Sequence, residues 1–260
     1  MALIDNLVSY WKMDEVSGNR ADSHASNTLT DTNTVASATG KIDLGADFEK
    51  TNSEVLTITD ASQTGLDITG AFSFNCWLTL ESSTGSNNTI VSKYTVANGK
   101  GYEIYIGTAN WIQGNFTAAD GSSSTGATNN SVIPDDGTFR MVTVTFTPSG
   151  SDRVKIYLNA AVQSIPSPTD SAWDIAATAD PFCIGSRNGS AFYDGIIDEC
   201  GIWDKVLTQS EIDQLYNGGA GLAYPLTTTA IKTLGGLAIG SVKTVGGLAI
   251  ASVKTIGGLA

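Results

Sequence analysis

The segment FSFNCWLTLE, residues 72–81, places Phe72, Phe74, Cys76, Leu78 and Leu80 on one side and Ser73, Asn75, Trp77 and Thr79 on the other. A period of two held this long predicts a half-buried antiparallel strand, because successive strand side chains point to opposite faces. Comparable runs are TIVSKY (Thr89 to Tyr94), GYEIYIG (Gly101 to Gly107), WIQGNFTA (Trp111 to Ala118) and RMVTVTFT (Arg140 to Thr147). RVKIYLN (Arg153 to Asn159), FCIGS (Phe182 to Ser186) and GIIDECGIWD (Gly195 to Asp204) continue the series. The turn-forming stretches ADGSSSTG, PDDG, SGSD and RNGSAFYDG separate them. So many strands without intervening helices predict an all-β chain folded as two packed antiparallel sheets, a sandwich or jelly roll.

One helix interrupts this pattern. In LTQSEIDQLYNGG, Thr208 precedes Glu211 by three, which is capping-box spacing, and Ile212, Leu215 and Tyr216 share a face before Gly218 ends the turn. A short helix covering one end of the sandwich is the expectation. At 260 residues the chain is long enough for one full-sized β domain plus an appendage.

The appendage is a repeat. Copies beginning at Ile231, Val242 and Val253 each read as a β-branched residue, Lys-Thr, an aliphatic residue, Gly-Gly and Leu-Ala. Pro225 and a threonine run mark the boundary, giving a jelly roll over 1–222, a linker over 223–230 and a repeat tail over 231–260. The tail lacks the low hydrophobicity of disordered segments, and strand-prone sequence left in water aggregates, so it is expected to have a partner. Ile231, Leu237, Ile239, Val242, Leu248, Ile250, Val253 and Ile256 are the candidate assembly residues. Gly-Gly turns folding the tail on itself and strands added to neighbouring subunits are both open, since a turn at 246–247 sets Lys243 opposite Ile250 and leaves neither face wholly apolar.

Charge excludes one partner class. The formal net charge is −12, and the tail holds three Lys and no acid, which leaves 11 basic against 26 acidic residues before it. Nucleic-acid binding rests on Lys and Arg neutralising phosphates, so no nucleic-acid partner is expected. No run approaches the length of a membrane span, and the start MALIDNLVSYWKMDE lacks the charged and apolar regions of a Sec-type signal peptide. Cys76, Cys183 and Cys200 have no CxxC spacing; buried free thiols are expected, with a Cys183 to Cys200 bridge as the alternative.

Four stretches read together bring in a family. LVSYWKMDEVSGNRADSHASNTLT, FSFNCWLTL, GTFRMVTVTFTPSGSDRVKIYLNAAVQ and FCIGSRNGSAFYDGIIDECGIWDKVLTQSEIDQLY occur in the order found in laminin-G-like domains of the concanavalin A-like lectin/glucanase superfamily. The resemblance covers about Leu3 to Tyr216. Its most specific part is the Gly-x-Ile-Asp-Glu strand followed by a helix opening in Leu-[Ser/Thr]-x-x-Glu. It implies a concanavalin A-like jelly roll used for adhesion, carbohydrate binding or scaffolding, sometimes with calcium, and in some branches for glycan hydrolysis.

Residue chemistry weighs these options. Glycoside hydrolysis needs two carboxyl groups at a set separation, which the glucanase branch supplies from alternate positions of one strand. Here Asp198 and Glu199 are adjacent, and adjacent strand residues point to opposite faces. Asp198 is therefore expected to anchor a loop, and Glu199 to face solvent or a sheet neighbour. The single histidine, His24, lies in the polar stretch RADSHASN and reads as an exposed loop residue with no triad partner. No cofactor is required by this reading. Calcium is an optional ligand for oxygen-rich loops, with Asp14, Asp22 and Asp194 as candidates against the plainer reading of Asx turns. For glycans, Trp173 and Tyr193 in loop-like stretches are the candidate platforms, with Trp111 next, against the alternative that these rings cap the core.

Together these features predict a non-enzymatic structural or adhesion subunit of an extracellular or virion assembly. Its jelly roll would face outward with cell-surface glycans as a partner, and its tail would dock on copies of itself or on another structural subunit. A secreted glycan-binding or glycan-hydrolysing protein tethered by its tail, and a self-assembling filament subunit, are the alternatives. The expected location is a virion or the cell exterior, reached without a Sec-type signal.

Overall fold

The computed structural model describes residues 2–82, 87–128, 132–163 and 173–226, with the backbone of four residue pairs between 233 and 249. The first seven strands are β1 (Leu7–Trp11), β2 (Thr30–Thr32), β3 (Ala36–Thr39), β4 (Leu44–Phe48), β5 (Val55–Ile58), β6 (Phe72–Leu78) and β7 (Asn88–Thr95). Then come β8 (Lys100–Ile106), β9 (Ile112–Thr117), β10 (Ser123–Ala127), β11 (Arg140–Phe146), β12 (Val154–Leu158), β13 (Ala161–Val162), β14 (Phe182–Ile184) and β15 (Gly195–Trp203). Helix α1 (Gln209–Tyr216) follows.

Two antiparallel sheets form. One runs β13-β12-β11-β6-β15-β4-β3 with β1 also paired to β15; the other runs β10-β9-β8-β7-β14-β5-β2. Their inner faces share one core that includes Trp11, Phe48, Phe72, Phe74, Phe116 and Phe146. Trp11 stacks on Phe182 at 5.2 Å between ring centroids and Phe116 on Phe146 at 4.8 Å. This is the two-sheet jelly-roll sandwich that the alternation predicts.

Three sequence expectations change. The 72–81 strand is buried on both faces rather than one, because a second cluster of Tyr10, Trp77, Met141, Trp203, Ile212 and Leu215 fills the outer side beneath α1. Ser123–Ala127, read as turn from its Ser, Thr and Gly content, is an edge strand paired along its length with β9. Residues 223–226, expected as the start of a linker, belong to the compact unit, which ends at Leu226: Tyr224 stacks on Tyr10 at 5.2 Å and Leu226 is buried.

The helix is built as its spacing suggests. Thr208 Oγ1 accepts from Glu211 N, and a Glu211 carboxylate oxygen accepts from Thr208 N at 2.8 Å, so each satisfies a donor that the helix start leaves open. Glu211 also receives Lys205 Nζ at 2.7 Å. Asn217, in the left-handed region at φ 48°, closes the helix one residue before the expected Gly218.

A separate unit spans Thr227–Ala260. Within it Thr233–Leu234 pairs with Leu237–Ala238, and Thr244–Val245 with Leu248–Ala249, both antiparallel and both flanking a Gly-Gly pair. Of the candidate assembly residues, Leu237 and Leu248 are described by backbone alone. Ile231, Ile239, Val242, Ile250, Val253 and Ile256 lie outside the described residues.

Gly195 opens β15 at φ 134°, and a Cβ there would stand 2.4 Å from the Thr79 carbonyl oxygen. No L side chain fits both constraints. Gly195→Ala is expected to lower the unfolding free energy by about 2 kcal/mol or more. Urea denaturation measures this, and a loss under about 0.5 kcal/mol would contradict the packing described for the start of β15.

Candidate functional site

Register lines up polar residues on the outer face of the seven-stranded sheet. Thr125 pairs with Asn115, Asn115 with Glu103, Glu103 with Ser92, Ser92 with Cys183, Cys183 with Thr57 and Thr57 with Thr30. The row crosses all seven strands. It exists because the alternate positions, such as Ile104, Phe116 and Ile184, point into the core.

Glu103 is the buried charge of this row. Its two oxygens receive the Arg187 guanidinium as a fork, with Arg187 Nη2 at 3.0 Å, and Oε1 also receives Asn115 Nδ2 at 2.9 Å. Asn115 Oδ1 in turn accepts from Gln113 Nε2 at 2.6 Å and Thr125 Oγ1 at 3.1 Å. The Arg187 guanidinium lies 5.7 Å from the Tyr94 ring centre and 5.5 Å from that of Tyr105, close enough for cation–π attraction. Burial, with the Glu103 charge adding to it, raises both tyrosine hydroxyls above their ordinary pKa, so they stay protonated donors at neutral pH.

A groove of about 390 Å³ opens beside this network, lined by Tyr94, Asn98, Gly99, Gln113, Asn115, Thr117, Gly121, Ser123 and Thr125. The half-buried Trp111 meets Tyr105 edge-on at 5.8 Å, which puts it next to the network. Amides, hydroxyls and an aromatic ring on a rigid sheet suit a polyhydroxylated ligand: hydroxyl hydrogen bonds go to amides, and C–H faces go to rings.

The other candidates lie elsewhere. Tyr193 is fully buried, donates its hydroxyl to Thr79 O at 2.7 Å and meets Phe48 edge-on, so it is a core residue and not a platform. Trp173 packs on Phe146 at 5.2 Å with Arg153 over its ring, at the margin of the core. Asp22 spends both oxygens on the backbone N–H groups of Tyr10, His24, Ala25 and Asn27, as an Asx loop does. Asp14 pairs with Lys12 and accepts from Leu44 N at 3.3 Å, while Asp194 accepts from Lys50 N at 3.2 Å. Among the described residues no group of three or more His, Cys, Asp or Glu side chains converges as metal ligands do, so these three aspartates do not form one site.

Asp198 and Glu199 correct a geometric expectation. β15 is bulged against β6 between Asp198 and Gly201, and Glu199 takes φ 49°, so strict alternation fails there. Asp198 Oδ2 accepts from Lys41 N at 2.7 Å and Ile42 N at 3.0 Å, anchoring the 40–43 turn, where a Cβ on Gly40 would come within 2.7 Å of that oxygen. Of the two places expected for Glu199, solvent or a sheet neighbour, it takes the second: it is buried and accepts the Tyr10 hydroxyl of neighbouring β1. Burial pushes Asp198 up to about 7 and Glu199 up to about 8, against the hydrogen bonds that favour their charged forms.

A family model for the concanavalin A-like lectin/glucanases superfamily matches residues 50–213. The chain belongs to this superfamily. No curated protein sequence matches it. Among solved structures, the binding domain of Paraclostridial Mosquitocidal Protein 1 superposes with a TM-score of 0.62 at 17% identity, over 84% of this chain and 53% of that one. The binding domain of Botulinum Neurotoxin DC in complex with SialylT gives 0.60 at 13% identity, over 84% and 52%. Domain 4 of AbnA, a GH43 extracellular arabinanase from Geobacillus stearothermophilus, in complex with arabinotriose, gives 0.56 at 18% identity, over 80% and 96%. The lectin-like chain thus spans about half the length of the two toxin domains and nearly all of the arabinanase domain. At these identities the likeness concerns the fold. No helix among the described residues is long and apolar enough to cross a membrane.

The buried acid pair makes stability depend on pH in a stated direction. Both folded pKa values lie above the unfolded ones, so folding takes up protons, and the stability these groups contribute is present near pH 4 and is lost as pH rises through about 7 and 8. In the Asp198→Asn, Glu199→Gln double variant, the fall in unfolding free energy between pH 5 and 9 is expected to shrink by about 2 kcal/mol or more. Urea titrations at stepped pH read the difference, and parallel curves for the two proteins would refute it.

Proposed function

We propose that this chain is a non-enzymatic glycan-binding adhesion module, displayed by an extracellular or virion assembly, that holds a neutral oligosaccharide on the outer face of its seven-stranded sheet. The carrying observation is the groove of Tyr94, Gln113, Asn115, Thr117, Ser123 and Thr125 beside the Arg187–Glu103 pair. No Lys or Arg is among its lining residues, Arg187 is neutralised by Glu103, and the chain carries −12 overall, so an anionic ligand gains nothing there. The arabinanase domain solved with arabinotriose, a neutral sugar, supports the same class.

Binding is favoured over hydrolysis. Both Glu103 oxygens are engaged, and Asp198 and Glu199 are sealed under the other sheet face, so no pair of carboxyl groups lines the groove. In this reading no cofactor is required and EDTA leaves binding unchanged. Isothermal titration against a panel of neutral oligosaccharides tests it. Tyr94→Ala and Asn115→Ala are each expected to weaken binding about tenfold, or about 1.4 kcal/mol, while Trp173→Ala leaves affinity in place. No binding by the wild type, undiminished binding by both variants, or reducing ends released from a polysaccharide, sinks the reading.

The tail is proposed to dock the module on copies of itself or on another structural subunit. Support comes from the eleven-residue repeat, its basic charge beside an acidic body, and the separate unit that begins at Thr227. Mass photometry of the full chain and of one ending at Leu226 is expected to show oligomers only for the full chain. Monomers from both, with no retention on the partner assembly, would remove this role.

A further inference from the structure

Cys76 in β6 and Cys200 in β15 lie on neighbouring strands of the eight-stranded sheet. Pairing sets Asn75 opposite Gly201 and Trp77 opposite Asp198, so Cys76 faces the bulge residues Glu199 and Cys200. The bulge sends the Glu199 carboxylate outward to Tyr10 and turns Cys200 inward, where both cysteines belong to the core cluster at zero exposure. All three cysteines are free thiols in this structure, and the neighbouring Cys76 thiol adds to the burial that raises the Cys200 pKa. Regularly opposed residues of antiparallel strands have Cα atoms about 4.5–5.5 Å apart, inside the range a disulfide spans, and the bulge places Cys200 next to the position opposite Cys76. Cys183 is in the other sheet, its sulfur 3.5 Å from Thr57 Oγ1, so the bridge from Cys183 to Cys200 allowed by the sequence has no geometry here.

We propose that Cys76 and Cys200 are a disulfide-forming pair, oxidised while the chain folds in the presence of a small-molecule disulfide such as glutathione disulfide, with Cys183 left as a thiol. One cysteine thiolate attacks glutathione disulfide, breaking its S–S bond, releasing one glutathione thiolate and leaving a mixed disulfide. The second cysteine thiolate attacks the protein sulfur of that mixed disulfide, forms the Cys76–Cys200 bond and expels the second glutathione. Two protein thiols lose two electrons and two protons, and one glutathione disulfide becomes two glutathione thiols. Burial pushes the Cys200 thiol well above its ordinary pKa, and neither sulfur is exposed, so the folded, reduced protein resists the same oxidant. The bridge closes a loop of roughly 120 residues, a constraint that acts mainly on the unfolded chain.

The test refolds reduced, urea-unfolded full-length protein in a glutathione/glutathione disulfide buffer, then alkylates with iodoacetamide in denaturant. Intact mass and peptide mapping are expected to show one alkylated cysteine, Cys183, and a reductant-sensitive link between the Cys76 and Cys200 peptides. The bridged protein should unfold at higher urea than the reduced form, and Cys183→Ser should keep the link. Already folded, reduced protein placed in the same buffer should keep three alkylatable thiols. Expression into an oxidising compartment reads the same link without refolding. Three alkylated cysteines after both routes, or a link that involves Cys183, overturns the proposal.

Discussion

Burial of β6 and β15, the central strands of the eight-stranded sheet, on both of their faces is the constraint from which the rest of the molecule follows. The sheet's inner side supplies Phe72, Phe74, Cys76 and Leu78 to the sandwich core, and its outer side buries Tyr10, Trp77, Met141 and Trp203 beneath α1 and the segment around Leu222, Tyr224 and Leu226. Trp203 donates to Leu3 O at 2.9 Å, tying the chain's start into the same layer. Away from this layer, beside β11, β12 and β13, the same outer side opens as a groove of about 510 Å³ lined by Thr145, Thr147, Arg153, Lys155, Tyr157 and Thr208. On the outer face of the seven-stranded sheet the core demands only alternate residues, and the others are free to be polar.

That face solves an electrostatic problem. A carboxylate held at 1% exposure is costly unless paired and hydrogen-bonded. Glu103 is satisfied by the Arg187 fork and the Asn115 amide, and satisfying it fixes Asn115, which then orients Gln113 and Thr125. Three of the side chains that line the groove, Gln113, Asn115 and Thr125, are held by hydrogen bonds to one another. Their conformational entropy is already lost in the free protein, so a ligand that met them would cost less order.

How much of this could be read from the sequence depended on range. The Phe72–Leu80 alternation and the Thr208/Glu211 box are local patterns with local causes, and both appear as elements. β10 escaped because its Ser, Thr and Gly composition suits a turn; only pairing with β9 makes it a strand. Glu103, Asn115, Gln113 and Thr125 were visible as outward positions of period-two strands, yet nothing local says that three strands align them or that Arg187 reaches over from the loop after β14. For Tyr193 the sequence leaves platform and core ring both open, because polar neighbours in sequence say nothing of the buried slot beside Phe48 and Thr79 that decides for the core.

The Asp198–Glu199 pair shows how one backbone angle can decide between chemistries. On a regular strand the two carboxyl groups would part, one inward and one outward. The left-handed turn at Glu199 instead frees both from the core and gives the inward place to Cys200. Each carboxyl is then taken up structurally, Asp198 by the amides of the 40–43 turn and Glu199 by Tyr10. Hydrolysis would need one of them to meet a glycosidic oxygen, and both are covered by the layer that completes the fold. The acids most suggestive of catalysis in the sequence are thus committed to holding β1, β15 and the turn before β4 together.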